Sequence, residues 1–118
     1  MKIAFTTSGE TLDAPMDARF GRAPKFLVYD TDKNTFEVIE NRQGVQAAQG
    51  AGIQAAETVA RAGVNSLVTG HCGPKAFRVL SAAGITIYCA SAPTVAAALK
   101  DFRAGKLAPA ESVDDAWQ

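Results

Sequence analysis

The sequence predicts an α/β domain in which a mixed five-stranded sheet is packed between helices. Three observations carry that expectation. Five short β-forming runs and three helical stretches follow one another in the order β-β-β-α-β-α-β-α. The first three strands can close as an antiparallel meander, whereas the last two can join only through crossover helices, and so in parallel. The helical stretches show apolar residues at helical spacing, and each ends at a glycine: Gly63, Gly84 or Gly105. Finally, the turn Thr69-Gly70-His71-Cys72-Gly73-Pro74 joins an apolar strand to a helix that opens on proline, a residue suited to the first helical position.

The elements follow in chain order. Lys2 to Thr7 is a β run, and the irregular stretch Ser8 to Pro24 after it is long enough to be functional or disordered rather than a plain connection. Lys25 to Asp30 and Thr35 to Glu40 flank the turn-rich Asp30-Thr31-Asp32-Lys33-Asn34, which is the pattern of a β-hairpin. A polar loop from Asn41 to Gly50 leads into a helix over Ala51 to Ala62, with Ile53, Ala56, Val59 and Ala60 at helical spacing. Ser66 to Thr69 is the fourth strand, Pro74 to Ala83 the second helix, and Ile85 to Cys89 the last strand. Thr94 suits the N-cap of a third helix running through Phe102.

Length and composition bound the possibilities. The 118 residues are one domain's worth, assigned here as 1–108, followed by a polar tail over 109–118 that is expected to be flexible although it contains Trp117. No apolar run approaches the roughly 20 residues of a membrane helix, and the N-terminus reads as a strand rather than a signal peptide, so a cytoplasmic protein is expected. Cys72 and Cys89 make no disulfide framework. Glu111, Asp114 and Asp115 lie in the last eight residues, where no Lys or Arg does, so the rest of the chain carries a formal +3. That is too weak for a nucleic-acid binder.

The strand-to-helix turn at Gly70 to Pro74 has the physics of an anion site. A helix N-terminus presents unpaired N–H groups and the positive end of the helix dipole, and Lys75 adds a full charge beside it. In parallel neighbouring strands, the ends at Thr7, Thr69 and Cys89 would open onto the rim from which the helices at Gly52 and Pro74 start. The same turn carries the only histidine, His71, and Cys72. A zinc site would need at least three protein ligands and hence Cys89 close to Cys72. Cys72 can equally be read as a nucleophile in sulfur transfer or as a small buried hydrophobe. Gly50-Ala51-Gly52 fits neither the dinucleotide fingerprint nor the P-loop, although a phosphate- or nucleotide-binding module would use the same helix ends.

Three ordered motifs, Arg19-Phe20-Gly21-Arg22-Ala23-Pro24-Lys25-Phe26, Gly50-Ala51-Gly52-Ile53-Gln54-Ala55-Ala56 and Gly70-His71-Cys72-Gly73-Pro74-Lys75-Ala76-Phe77, give the chain its resemblance. It resembles the nitrogenase iron-molybdenum cofactor biosynthesis accessory family over about residues 1 to 107, and within it a small member that carries a molybdenum–copper sulfide cluster. The resemblance implies a ribonuclease-H-like three-layer α/β/α fold. It also implies a non-enzymatic role in binding or carrying an anionic metal–sulfide cluster, with room for a protein partner in a cluster or cofactor pathway. By matching motif, the implied site takes in Ser8, Arg19, Phe20, Gly21, Arg22, Gly50, Gly52, Ile53, Gly70, Gly73, Pro74 and Lys75.

A cluster that brings its own sulfide ligands leaves the protein to supply charge, N–H donors and a polarisable wall, for which Phe20, Ile53, Met16 and Phe77 are the candidates. Copper(I) is soft and would favour a thiolate or thioether within reach, which points to Cys72 or Met16, with Cys72 the candidate metal contact and His71 beside it a candidate for binding the cofactor. A nuclease, which the fold label alone would suggest, needs clustered carboxylates, and the first strand has none. Asp13 and Asp17 read instead as partners of Arg19 or Arg22.

Overall fold

Strand β1 (Lys2–Thr7) runs through the middle of the sheet in the computed structural model, which describes residues 1–41 and 51–112, Ala51 by its backbone alone. Strand β2 (Lys25–Asp30) pairs antiparallel with β1 from Lys2↔Asp30 to Thr7↔Lys25, and β3 (Thr35–Glu40) closes the hairpin on β2. On the other side of β1, strand β4 (Ser66–Thr69) runs parallel with Ile3 opposite Ser66, and β5 (Thr86–Cys89) runs parallel to β4. The order β3-β2-β1-β4-β5 is the meander extended by parallel strands that the element order predicts.

Alternation along the strands sorts the core into two layers. Ala4, Phe26, Val28, Leu67 and Ile87 face helices α1 (Ala51–Arg61) and α2 (Pro74–Ala82), and are packed with Ala55, Ala56, Val59, Ala76 and Leu80. Their neighbours Ile3, Phe5, Leu27 and Val68 face the other way, onto Val95, Ala98 and Leu99 of helix α3 (Val95–Arg103). Helices on both faces make three layers, and they explain why β1, β2 and β4 are buried almost without interruption. The edge strand β3 is mostly exposed.

Local chemistry sets the boundaries. In the β2–β3 turn, Asp30 Oδ1 accepts from the N–H groups of Asp32 at 2.9 Å and Lys33 at 3.3 Å, and Asn34 takes φ 54°. Thr94 caps α3 by accepting from Ala97 N–H at 3.1 Å. Gly84, at φ 78°, ends α2, and the Ile85 N–H then donates to Leu80 O at 3.0 Å. That last bond draws Ile85 into the helix terminus, so β5 begins one residue later than the pattern of apolar residues suggests.

Past α3 the chain returns to the sheet. Ala110 N–H donates to Ile87 O at 2.7 Å and Pro109 forms an antiparallel bridge with Tyr88, so the start of the expected tail lies along β5. The remainder of that tail from 113, with Trp117, lies outside the described residues, as does Gly50. No helix among the described residues is long and apolar enough to cross a membrane.

Candidate functional site

The loop after β1 is built against the ends of the two central parallel strands. The Asp17 N–H donates to Thr6 O at 2.9 Å, and the buried Thr6 Oγ1 donates to Asp17 O at 2.6 Å and shares a 3.0 Å hydrogen bond with Thr69 Oγ1. Thr7 Oγ1 reaches Pro15 O at 2.8 Å. The loop then adds itself to β4. His71 N–H donates to Ala18 O at 2.6 Å, Phe20 N–H donates to His71 O at 3.1 Å, and Arg19 and His71 pair as in a parallel ladder. Gly70 is what lets the two backbones approach, since a Cβ there would lie 2.6 Å from Ala18 O and 2.7 Å from Ala18 Cα.

This seating delivers Phe20 and Gly21, in the short 3-10 turn Phe20–Arg22, to the N-termini of α1 and α2. Together with Gly52, Ile53, Gly73, Pro74, Lys75 and Ala76 they line a concavity of about 310 Å³. Phe20 is buried, its ring 5.6 Å from that of Phe26. Gly52 lets the two helix starts come together, as a Cβ there would be 3.3 Å from Ala76 Cβ. Neither helix has an acidic residue in its first turn, and Gly73, the N-cap of α2, offers no side-chain cap. The first-turn N–H groups of α2 therefore stay available to an acceptor in the concavity, with the dipole and Lys75 setting its charge preference.

Of the residues expected from the sequence, Phe20, Gly21, Gly52, Ile53, Gly73, Pro74 and Lys75 are brought together here. Arg19, Arg22 and His71 are exposed on the flanking turn without lining the concavity, and Ser8 is exposed just past β1. Met16 is a correction: bridged to Thr7, it packs beneath α3 on the opposite face of the sheet. Phe77 packs against the core under α1 and α2.

Cys72, the candidate metal contact, does not line the concavity. Its thiol is fully buried in the layer beneath α1 and α2, donates to Gly73 O at 3.8 Å, and is pushed up to about 12 by burial, with the nearby Cys89 adding to the effect. Among the described residues no group of three or more His, Cys, Asp or Glu is placed to hold a metal ion. What the described residues of the concavity offer is N–H donors, the Lys75 ammonium and apolar walls.

The Cys72 thiol makes stability depend on alkaline pH. It ionises near pH 9 in an unfolded chain and at about 12 in the fold, so the fold favours the neutral form. That contribution is whole below about pH 9 and is lost as pH rises toward 12, to a total of about 4 kcal/mol. Urea unfolding of the native protein should show a midpoint that falls faster between about pH 9 and pH 11 than that of Cys72→Ala. Parallel slopes would mean that the thiol is wet.

Sequence reasoning passed over two contributors. Ala76 closes the concavity where α2 meets Gly52. Asn41, buried at the end of β3, holds the loop from below, its Nδ2 donating to Ala23 O at 2.9 Å and Gly21 O at 3.4 Å. An asparagine directly after a strand is the only sequence signal for it, and that signal is shared with ordinary turns.

Comparison with known proteins places this geometry. A family model described as dinitrogenase iron-molybdenum cofactor matches residues 1–105. The chain is 33% identical over 112 residues to the uncharacterized protein MJ0580 of Methanocaldococcus jannaschii, covering 91% of this chain and 89% of that one. The apo form of the orange protein from Desulfovibrio gigas is similar at a TM-score of 0.91 and 39% identity, covering 94% of this chain and 93% of that one. A Thermotoga protein of the DUF35 family is similar at a TM-score of 0.81 and 32% identity, covering 92% and 91%. With residues 1–105 matched by the family model and nearly its whole length matched by its relatives, the chain belongs to the dinitrogenase iron-molybdenum cofactor family.

Proposed function

We propose that the protein binds and carries an anionic, molybdenum-containing metal–sulfide cluster, in the form of a molybdenum–copper sulfide or of a precursor of the iron-molybdenum cofactor. The observation that carries the reading is the convergence of two helix N-termini and Lys75 on an apolar concavity lined, among the described residues, by no metal-ligating side chain. A cluster whose metals are already saturated by sulfide needs outer contacts of that kind: N–H groups and an ammonium for its charge, and Phe20, Ile53 and Pro74 for its polarisable surface. Arg19 and Arg22, on the flanking turn, add to the field that draws an anion in. The ribonuclease-H-like variant of the three-layer sandwich belongs to this same reading. So do a place in the cytoplasm and a protein partner that supplies or receives the cluster.

The geometry favours a carrier over a cysteine-dependent sulfur-transfer enzyme. A thiol that attacks an incoming sulfur donor needs exposure and a lowered pKa, and Cys72 has the reverse of both. Phosphate shares the anion chemistry and is the natural competitor. Apoprotein given tetrathiomolybdate and copper, then desalted, should keep a visible chromophore with molybdenum, copper and sulfur in fixed ratio. Lys75→Ala should weaken retention roughly tenfold, the size of one lost charge-assisted contact. A colourless, metal-free eluate from the native protein would sink the reading.

A further inference from the structure

The chain's two cysteines lie on one side of the sheet. Cys89 ends β5 directly opposite Thr69, and Cys72 follows Thr69 by three residues in the turn into α2. Both side chains belong to the apolar layer beneath α1 and α2, Cys72 fully buried and Cys89 partly buried against it. Cys89 lies near enough to Cys72 to add to the burial that disfavours its ionisation. Neither is in a disulfide. Cys72 also immediately precedes Gly73, which with the first turn of α2 forms one wall of the concavity. The thiol pair is thus linked covalently, through a single peptide bond, to the candidate site.

We propose that Cys72 and Cys89 are a redox pair that closes to a disulfide under a low-molecular-weight disulfide oxidant, and that closure weakens cargo retention by displacing the start of α2. The second part rests on the cluster-carrier reading, whereas the first does not. Cys89, the more accessible thiol, reacts first: its thiolate attacks one sulfur of the oxidant, forms a mixed disulfide and expels a thiolate, which takes up the proton that Cys89 gave up. The Cys72 thiolate then attacks the Cys89 sulfur, forming the Cys72–Cys89 bond and expelling the second small thiol. Two cysteine thiols are oxidised, and one disulfide is reduced to two thiols. A neutral disulfide also suits an apolar layer better than either thiolate does.

The experiment treats the full-length protein with oxidised glutathione and follows intact mass and disulfide-linked peptides. The native protein should lose two hydrogens without gaining glutathione and should yield a peptide pair joining Cys72 to Cys89, reversibly with dithiothreitol. Cys72→Ser should instead stop at a glutathione adduct on Cys89, and Cys89→Ser should stay unmodified because its remaining thiol is buried. A native protein that accumulates the Cys89 adduct without cross-linking, or that leaves both thiols unreacted, overturns the pair. The cross-linked and reduced forms are then loaded with tetrathiomolybdate and copper, where retention should fall at least tenfold on cross-linking. Equal retention overturns the coupling to the site. Failure of both forms to load, with the cross-link present, counts against the carrier reading alone.

Discussion

Gly73→Asp should make the apoprotein more stable while all but abolishing cluster retention. Gly73 has φ −68° and ψ 167°, an extended conformation open to any residue, so the backbone does not require glycine there. An aspartate at this N-cap would accept from the first-turn N–H groups and place a negative charge against the positive end of α2. The expected gain is about 0.5–1 kcal/mol, a few degrees in thermal midpoint. The same side chain withdraws those N–H donors from the concavity and repels an anion, which together should cost about 3 kcal/mol of binding, or roughly a hundredfold in retention. Thermal melts of the apoprotein and metal analysis after desalting read the two effects separately. Retention equal to that of the native protein would mean that the α2 terminus is not where the cargo sits.

Gly70→Ala is the largest expected loss of stability. The new Cβ would meet Ala18 O at 2.6 Å and Ala18 Cα at 2.7 Å, both backbone atoms that cannot turn aside as a side chain does. Either β4 or the loop must move, at about 3 kcal/mol. The two hydrogen bonds between His71 and the loop should fail first, so hydrogen exchange at the His71 and Phe20 amides should accelerate more than exchange in α3. A loss below about 1 kcal/mol with unchanged exchange would show that the loop is seated less firmly than these contacts imply.

The fold was legible because its signals are local. Five β runs, three glycine-ended helices, Thr94 as a cap and Pro74 as a first helical residue are each read within a few positions, and the handedness of crossovers does the rest. The wall of the concavity was legible in part for the same reason, since Gly52, Ile53 and Gly73 to Lys75 sit where helices start. Met16 was misplaced because its side chain is directed by pairing with Thr7, a contact set by how the loop folds back. Cys72 was ambiguous because a thiol beside a helix start reads as reactive in sequence, and burial alone reverses that. Asn41 and the Thr6–Thr69 hydrogen bond join residues remote in sequence, and neither partner betrays the other.

The seating of the loop also governs when the protein can begin its work during synthesis. Phe20 reaches the concavity through a loop tied to β4 at His71 and again to the segment entering α3. There Met16 N–H donates to Pro93 O at 3.2 Å, and Val95 and Ala96 donate to Ala14 O at 3.0 Å and Leu12 O at 2.7 Å. A chain still emerging from the ribosome holds residue 20 early but lacks its last anchors until residue 96 is free. On the proposed carrier reading, cargo capture would be deferred to a chain long enough to include residue 96, and a chain stalled before it would present no half-built site to a reactive metal–sulfide species.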